Sequence, residues 1–128
     1  DKIDTYLNFS KKINYIGREL NTLLKSLKSQ DKIIVGYGAP AKATTLMHHF
    51  GIDPSTLSYI VDDSKWKQDL YSPGMHIPIV SKEFLKGRKP DYILILAWNF
   101  AYSIIKNNSE FQNSGGKFII PLPRVEVV

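Results

Sequence analysis

The sequence predicts an α/β domain in three layers, α/β/α, with a mainly parallel sheet of about five strands and one long N-terminal helix ahead of it. Three observations carry that reading. Residues 3–28 bear a single apolar stripe at helical spacing, with no proline inside it. From residue 32 onward, short apolar runs alternate with helical patterns, the arrangement that builds parallel strands joined by right-handed crossovers. The most apolar run, DYILILA at 91–97, reads as a central strand covered on both faces.

In the first helix Tyr6, Phe9, Ile13, Ile16, Leu20, Leu23 and Leu27 recur at steps of three and four, and Gly17 is its only weak position. The same spacing suits a coiled coil, so a weak helical dimer is one reading. An amphipathic helix packed on its own domain or on a missing neighbour is the favoured one. Residues 1–30 are assigned to this helix and residues 31–128 to a single α/β domain.

Residues 32–35 form a short strand that Gly36-Tyr37-Gly38 breaks. A helix follows over 40–50, with Pro40 in the first turn, where its missing N–H costs nothing, and Gly51 as the C-terminal cap. Asp53-Pro54-Ser55 turns the chain into a second strand at 57–61. Residues 64–76 read as an exposed loop closing in Ser72-Pro73-Gly74, and 77–80 as a short edge strand. Ser81 is placed to cap a brief helix ended by Gly87. After the central strand, Asn99 is placed to cap a helix running to about Phe111. Gly115-Gly116 then leads into a last strand, 117–120, where Pro121 and Pro123 stop pairing.

Composition narrows the function. A chain of 128 residues, 43% hydrophobic and 23% charged, is one domain with a real core and is too apolar to be disordered. The absence of cysteine excludes disulfides, thiolate metal sites and cysteine nucleophiles, and fits a reducing, cytoplasmic location. The longest apolar stretch, 93–98, is far short of the ~20 residues that span a membrane, so no membrane partner is expected. No signal-peptide pattern opens the chain, which starts at Asp1 without an initiator methionine and is read as excised from something longer. Seventeen Lys and Arg against twelve Asp and Glu give +5, a balance that favours anionic partners. The basic residues are spread out, and no RNA-recognition signature accompanies them, so nucleic acid is not the expected partner.

The informative segment is IIVGYGAPAKATTLM at 33–47. Gly36-x-Gly38-x-x-Ala41 follows a strand and opens a helix, the context of a dinucleotide-type fingerprint. Gly36 is read as permitting the tight turn, Gly38 as letting backbone approach a ligand, and Ala41 as allowing close helix–strand packing. Tyr37 and Ala39 lie within the same loop. The helix N-terminus then offers free N–H groups and a positive dipole end to an anion. Lys42 adds a cation there, and Thr44 and Thr45 add hydroxyl donors. Asp62, 26 residues beyond Gly36, ends the second strand where a carboxylate accepts from a ribose hydroxyl. A βα turn that uses glycine for geometry alone is the bland alternative.

Other signals are weaker. His48 and His49 are adjacent on a helix, about 100° apart, and do not chelate as an i, i+4 pair does. His76, in a turn entering a strand, is a candidate for ligand contact or for backbone hydrogen bonding. Three histidines without cysteine make a metal site unexpected, and no serine sits in a nucleophile elbow. Trp98 and Asn99 follow the central strand at its carboxyl end, where open parallel sheets bind ligands. Trp98 either stacks on a base or seals the core; Asn99 either caps its helix or reaches a ligand. Lys67 and Gln68 belong to the 64–76 loop, which is placed to cover the same edge.

GYGAPAKATTLMHHFGI, YIVDDSKWKQDLYSPGMHIPI, KPDYILILAWNF and GGKFIIPLPRVEVV together resemble the C-terminal domain of the S-adenosylmethionine-dependent sugar C-methyltransferases. The resemblance runs in order from about residue 32 to the end, and PGxHIPI and PDYxLILxWN are far more specific than the glycine loop. It implies a Rossmann-like fold that houses much of a nucleotide-sugar site. It also implies absent partners in the same parent chain: a small zinc-binding N-terminal domain and a middle domain that holds S-adenosylmethionine. By that analogy this domain holds no cofactor itself and does not turn over alone. Ala41-Lys42-Ala43-Thr44-Thr45 stands where the family usually reads AKGNT, and Asp63-Ser64 where it commonly has arginine and asparagine. Asp63 thus reverses a charge beside the expected site.

The leading expectation is a domain that binds a nucleotide diphosphate sugar, methylated on carbon elsewhere in the parent enzyme. Lys42 and the N–H groups of 38–41 hold the diphosphate, Asp62 accepts from a hydroxyl, and His76 and Asn99 orient the ligand. Carbon methylation needs a base to form a carbanion or enolate and donors for its oxygen; only His76 is singled out, as an accessory group. The alternatives are an NAD-type sensing or redox module, and a partner-binding domain that docks through its first helix.

Overall fold

The computed structural model describes residues 2–38, 41–63, 76–87 and 89–128, with the backbone alone described at 41–44 and 46. The first helix, α1 (Lys2–Ser29), is followed by β1 (Ile34–Tyr37), α2 (Ala41–Phe50), β2 (Ile60–Val61), β3 (Ile79–Val80) and α3 (Phe84–Gly87). The second half holds β4 (Tyr92–Ile95), a 3-10 turn at Trp98–Phe100, α4 (Ala101–Asn107), α5 (Ser109–Asn113), β5 (Lys117–Ile120) and β6 (Glu126–Val127). The six strands form one sheet in the order β3-β2-β1-β4-β5-β6, parallel except for the antiparallel β5–β6 pair. This is the Rossmann-like three-layer fold.

Side chains alternate across the strands, and that alternation divides the core in two. One cluster joins Ile34, Ile60, Leu94 and Ile119 of the sheet to Leu20, Leu24 and Leu27 of α1 and to Met47 and Phe50 of α2. The other joins Val35, Tyr37, Val61, Ile93, Ile95 and Phe118 to Leu85 of α3, Ala101 and Ile104 of α4, and Phe111 of α5. β4 lies between β1 and β5 with Ile93, Leu94 and Ile95 fully buried, as a doubly covered apolar run must be. Each such side chain is worth ~1.5–3 kcal/mol.

Gly17 of α1 and Gly116 of the turn between α5 and β5 are packing devices. An added Cβ at Gly17 would stand 2.7 Å from the Phe50 ring, so the helix-weakening glycine is what lets α1 lie on α2. At Gly116 the Phe111 ring fills the place of a Cβ. Gly51 adopts φ +71 and ends α2, with the Ile52 N–H donating to the Met47 carbonyl, the expected C-terminal cap.

Several expectations need correction. Pairing resumes after Pro121 and Pro123: the chain reverses, and β6 returns antiparallel to β5, Ile119 opposite Val127 and Ile120 opposite Glu126. The regular part of the second strand is only Ile60–Val61, although the Gly36 N–H still donates to the Tyr59 carbonyl. The helix expected from Asn99 to Phe111 is broken at Asn108, whose side-chain amide donates to the Ile104 carbonyl at 2.7 Å and competes with helical continuation. No side-chain cap bond forms at the start of the 3-10 turn or of α4, so Asn99 is not a cap. At α3 the first turn closes through the Ser81 carbonyl, which accepts from the Phe84 N–H.

α1 is buried along only part of its length. Ile16, Leu20, Leu24 and Leu27 are core residues, whereas Ile3, Tyr6, Leu7 and Phe9 are exposed. No helix among the described residues is long and apolar enough to cross a membrane.

Candidate functional site

Strand order reverses between β1 and β4: the chain steps outward from β1 to β2 and β3, then returns to the other side of β1. In an open parallel sheet the carboxyl ends flanking that reversal are where a crevice forms. A crevice of about 270 Å³ lies there, lined by Tyr37 and Gly38 after β1, Asp62 and Asp63 after β2, Ala97 after β4, and Phe100, Ser103, Ile104 and Asn107 of the following turn and helix. Ser103 and Asn107 stand four residues apart on α4 and so share a face.

The two glycines of the loop act differently from the expectation. Gly36 lies inside β1, buried, where an added Cβ would meet Leu96 at 2.8 Å and Ile60 at 3.2 Å. Its role is strand packing, not the turn. Gly38 makes the turn, at φ +87, and an added Cβ there would come within 2.7 Å of the Ala97 Cβ. The close approach that demands glycine is thus to the chain after β4. The Gly38 N–H donates to the Val61 carbonyl at 2.7 Å and is not available to a diphosphate. The N–H groups left for an anion are those of the first turn of α2, which carries Ala41, Lys42 and Thr44.

A buried tyrosine and a carboxylate organise the floor of the crevice. The Tyr37 ring is only 4% exposed, and its hydroxyl donates to both carboxylate oxygens of Asp63, at 3.2 and 3.1 Å. Burial, above all, raises the phenol above its ordinary value; a hydrogen bond from Asn108 opposes that, and the charges of Asp63 and Asp62 reinforce it. Tyr37 is therefore a neutral donor at physiological pH. Asp62 is 8% exposed, and its N–H donates to the Val80 carbonyl, which anchors it to the end of β3. Asp63 is exposed to solvent.

Of the residues singled out in the sequence, the structure brings Tyr37, Gly38 and Asp62 together. Trp98 and Asn99 line a different groove of about 830 Å³ on the β5–β6 side, with Tyr102, Leu122, Pro123 and Arg124. Trp98 is half-buried against the α1–α2 side of the core, and Asn99 is exposed. His76 is exposed, has φ 55, and precedes β3, which runs parallel to β2; it lies toward the amino end of the sheet, away from Asp62. Thr45 is exposed on α2. Ala39, Lys67 and Gln68, and the loop to which the last two belong, lie outside the described residues. His48 and His49 are both exposed, and no group of three potential ligands is gathered for a metal among the described residues.

Sequence reasoning put Asp63 beside the site without giving it a role there, and it missed Ala97, Phe100, Ser103 and Asn107. The i, i+4 polar pair on α4 was a readable signal; the convergence of α4 on β1 was not.

Comparison with known proteins bears on what this architecture serves. A family model described as the C-methyltransferase C-terminal domain matches residues 1–123. The chain belongs to that family. It is also 36% identical over 123 residues to the C-methyltransferase NovU of Streptomyces niveus, a match that covers 96% of this chain and 29% of that protein. This C-methyltransferase C-terminal domain therefore spans less than a third of its relative. The match begins at residue 1, so α1 belongs to the family domain together with the sheet.

Proposed function

We propose that this domain holds the nucleotide-linked sugar that a C-methyltransferase methylates on carbon. The observation that carries the reading is the polarity of the crevice at the β1–β4 reversal. Its β2 side presents Asp62 and Asp63, acceptors for sugar hydroxyls, and its outer wall presents Phe100, 66% exposed, as an apolar face for a sugar ring. The N-terminus of α2, with Lys42 in its first turn, follows β1 and supplies the N–H groups and positive dipole end that suit a diphosphate. A ligand with a polyhydroxyl end and an anionic end matches both poles. Asn99, Trp98 and His76 would then contact the ligand only beyond the crevice.

S-adenosylmethionine is the methyl donor expected of the whole enzyme. A volume of about 270 Å³ is below the roughly 300–1,000 Å³ of pockets that enclose a ligand of that size, and Ala97 packed on Gly38 closes the space between β1 and β4. The described lining suits a sugar ring better than the donor, which we assign to the remainder of a parent enzyme of NovU-like length. The proton abstraction that carbon methylation requires is assigned there as well.

The test is an NMR titration of the labelled chain with thymidine diphosphate, NAD and S-adenosylmethionine in parallel. Thymidine diphosphate is expected to shift the amides of 36–45, and Lys42→Ala to weaken its binding about tenfold with the fold intact, the loss of one charge-assisted contact. A response to NAD alone would favour a dinucleotide-binding module. Equal affinity in Lys42→Ala and the parent would remove Lys42 from the site.

A further inference from the structure

Resting on the nucleotide-sugar reading, we propose that Asp63 is a specificity-determining residue and Tyr37 its positioning residue. Together they select a sugar that presents an amino or hydroxyl group to the crevice and reject one that presents a carboxylate.

Asp63 is exposed, yet it is not free to swing, because the buried Tyr37 hydroxyl spans both of its carboxylate oxygens. The choice of partner matters. A lysine or arginine would hold a carboxylate while cancelling its charge, whereas a neutral phenol holds it and leaves the charge in place. A phenol has one proton to share and an ionised carboxylate about four acceptor positions, so most of the accepting capacity of Asp63 remains for a ligand. Asp62 adds a second carboxylate along the same wall, and among the described residues no lysine or arginine lines the crevice. The described lining is therefore acidic, opposite in sign to the +5 of the chain as a whole.

At a few ångströms and the effective dielectric of a partly exposed site, one charge changes affinity by about tenfold. Calorimetric titrations of the chain with thymidine diphosphate glucose, its 2-amino-2-deoxy analogue and its glucuronic acid analogue measure this directly. The amino sugar is expected to bind about tenfold tighter than the glucuronic acid form, or better, with glucose between them. Asp63→Asn should collapse that spread to within about threefold, and Asp63→Lys should invert it. Tyr37→Phe keeps the charge but releases the carboxylate, so it should narrow the spread, a ratio that a general loss of structure would not alter. An unchanged spread in Asp63→Asn and Asp63→Lys, with all three sugars still bound, overturns the assignment and leaves the nucleotide-sugar reading standing. Failure of thymidine diphosphate and all three sugars to bind overturns both.

Discussion

At the scale of single residues, Tyr37 links the fold to the candidate site. Its ring belongs to the core beneath β1 and its hydroxyl to the crevice, so one side chain answers to packing and to polarity. Because the phenol sits above its ordinary value in the native state, the folded chain holds that proton more tightly than the unfolded chain does. The stability it contributes is complete below pH 10 and is lost as pH rises through the raised value. Tyr59, raised by burial, acts in the same direction. Urea midpoints measured from pH 8 to 11 should therefore fall at the alkaline end, and Tyr37→Phe should flatten that fall. At pH 8 the same substitution should cost about 1 kcal/mol, the usual net worth of one hydrogen bond.

At the scale of elements, α1 is two helices in energetic terms. From Ile16 to Leu27 its stripe is built into the core; ahead of that, the stripe continues with Tyr6 and Phe9 facing solvent. Leu24→Ala should destabilise the domain by about 2–5 kcal/mol, as a cavity in a close-packed core does. Tyr6→Ala should change it by no more than about 0.5 kcal/mol. Chemical denaturation of the two variants checks both; a large loss for Tyr6→Ala would mean that the outer turns pack on something in solution. The break between α4 and α5 shows a different limit of pattern reading. Apolar spacing across 101–111 suits one helix, yet a buried asparagine amide bonded to a carbonyl one turn back ends it.

At the scale of the whole molecule, the described residues form a sheet, two cores and a crevice at the strand-order reversal, and the match to NovU covers only 29% of that protein. The proposal makes it a substrate holder whose chemistry is completed elsewhere. Incubated alone with S-adenosylmethionine and a thymidine diphosphate ketosugar, it should yield no methylated product by mass spectrometry. The sugar nucleotide should nevertheless stabilise it. At a concentration 100 times its Kd, the linkage is worth about 2.7 kcal/mol, a rise of roughly 10 °C in melting temperature for a domain of this size. Product from the isolated chain would place the donor site here after all.

Much of this was legible in the order of residues, for a physical reason. Helix and strand periodicity, glycine caps and the doubly apolar run at 91–97 are local properties, and local backbone sterics and burial read them directly. The family motifs are likewise contiguous strings. What only the tertiary structure decided are relations between distant segments. An added Cβ at Gly36 would meet Leu96 and Ile60, and one at Gly38 would meet Ala97. Trp98 and Asn99 follow the right strand but turn to the opposite side from Asp62, while Ser103 and Asn107, one helix later, come back to it. Pairing past two prolines depended on a partner edge at β5 that no reading of 121–128 contains. The sequence determines which segments become strands and helices; packing across the sheet decides which side chains meet at its carboxyl edge, because contact there depends on register and crossover, which are set by the whole chain at once.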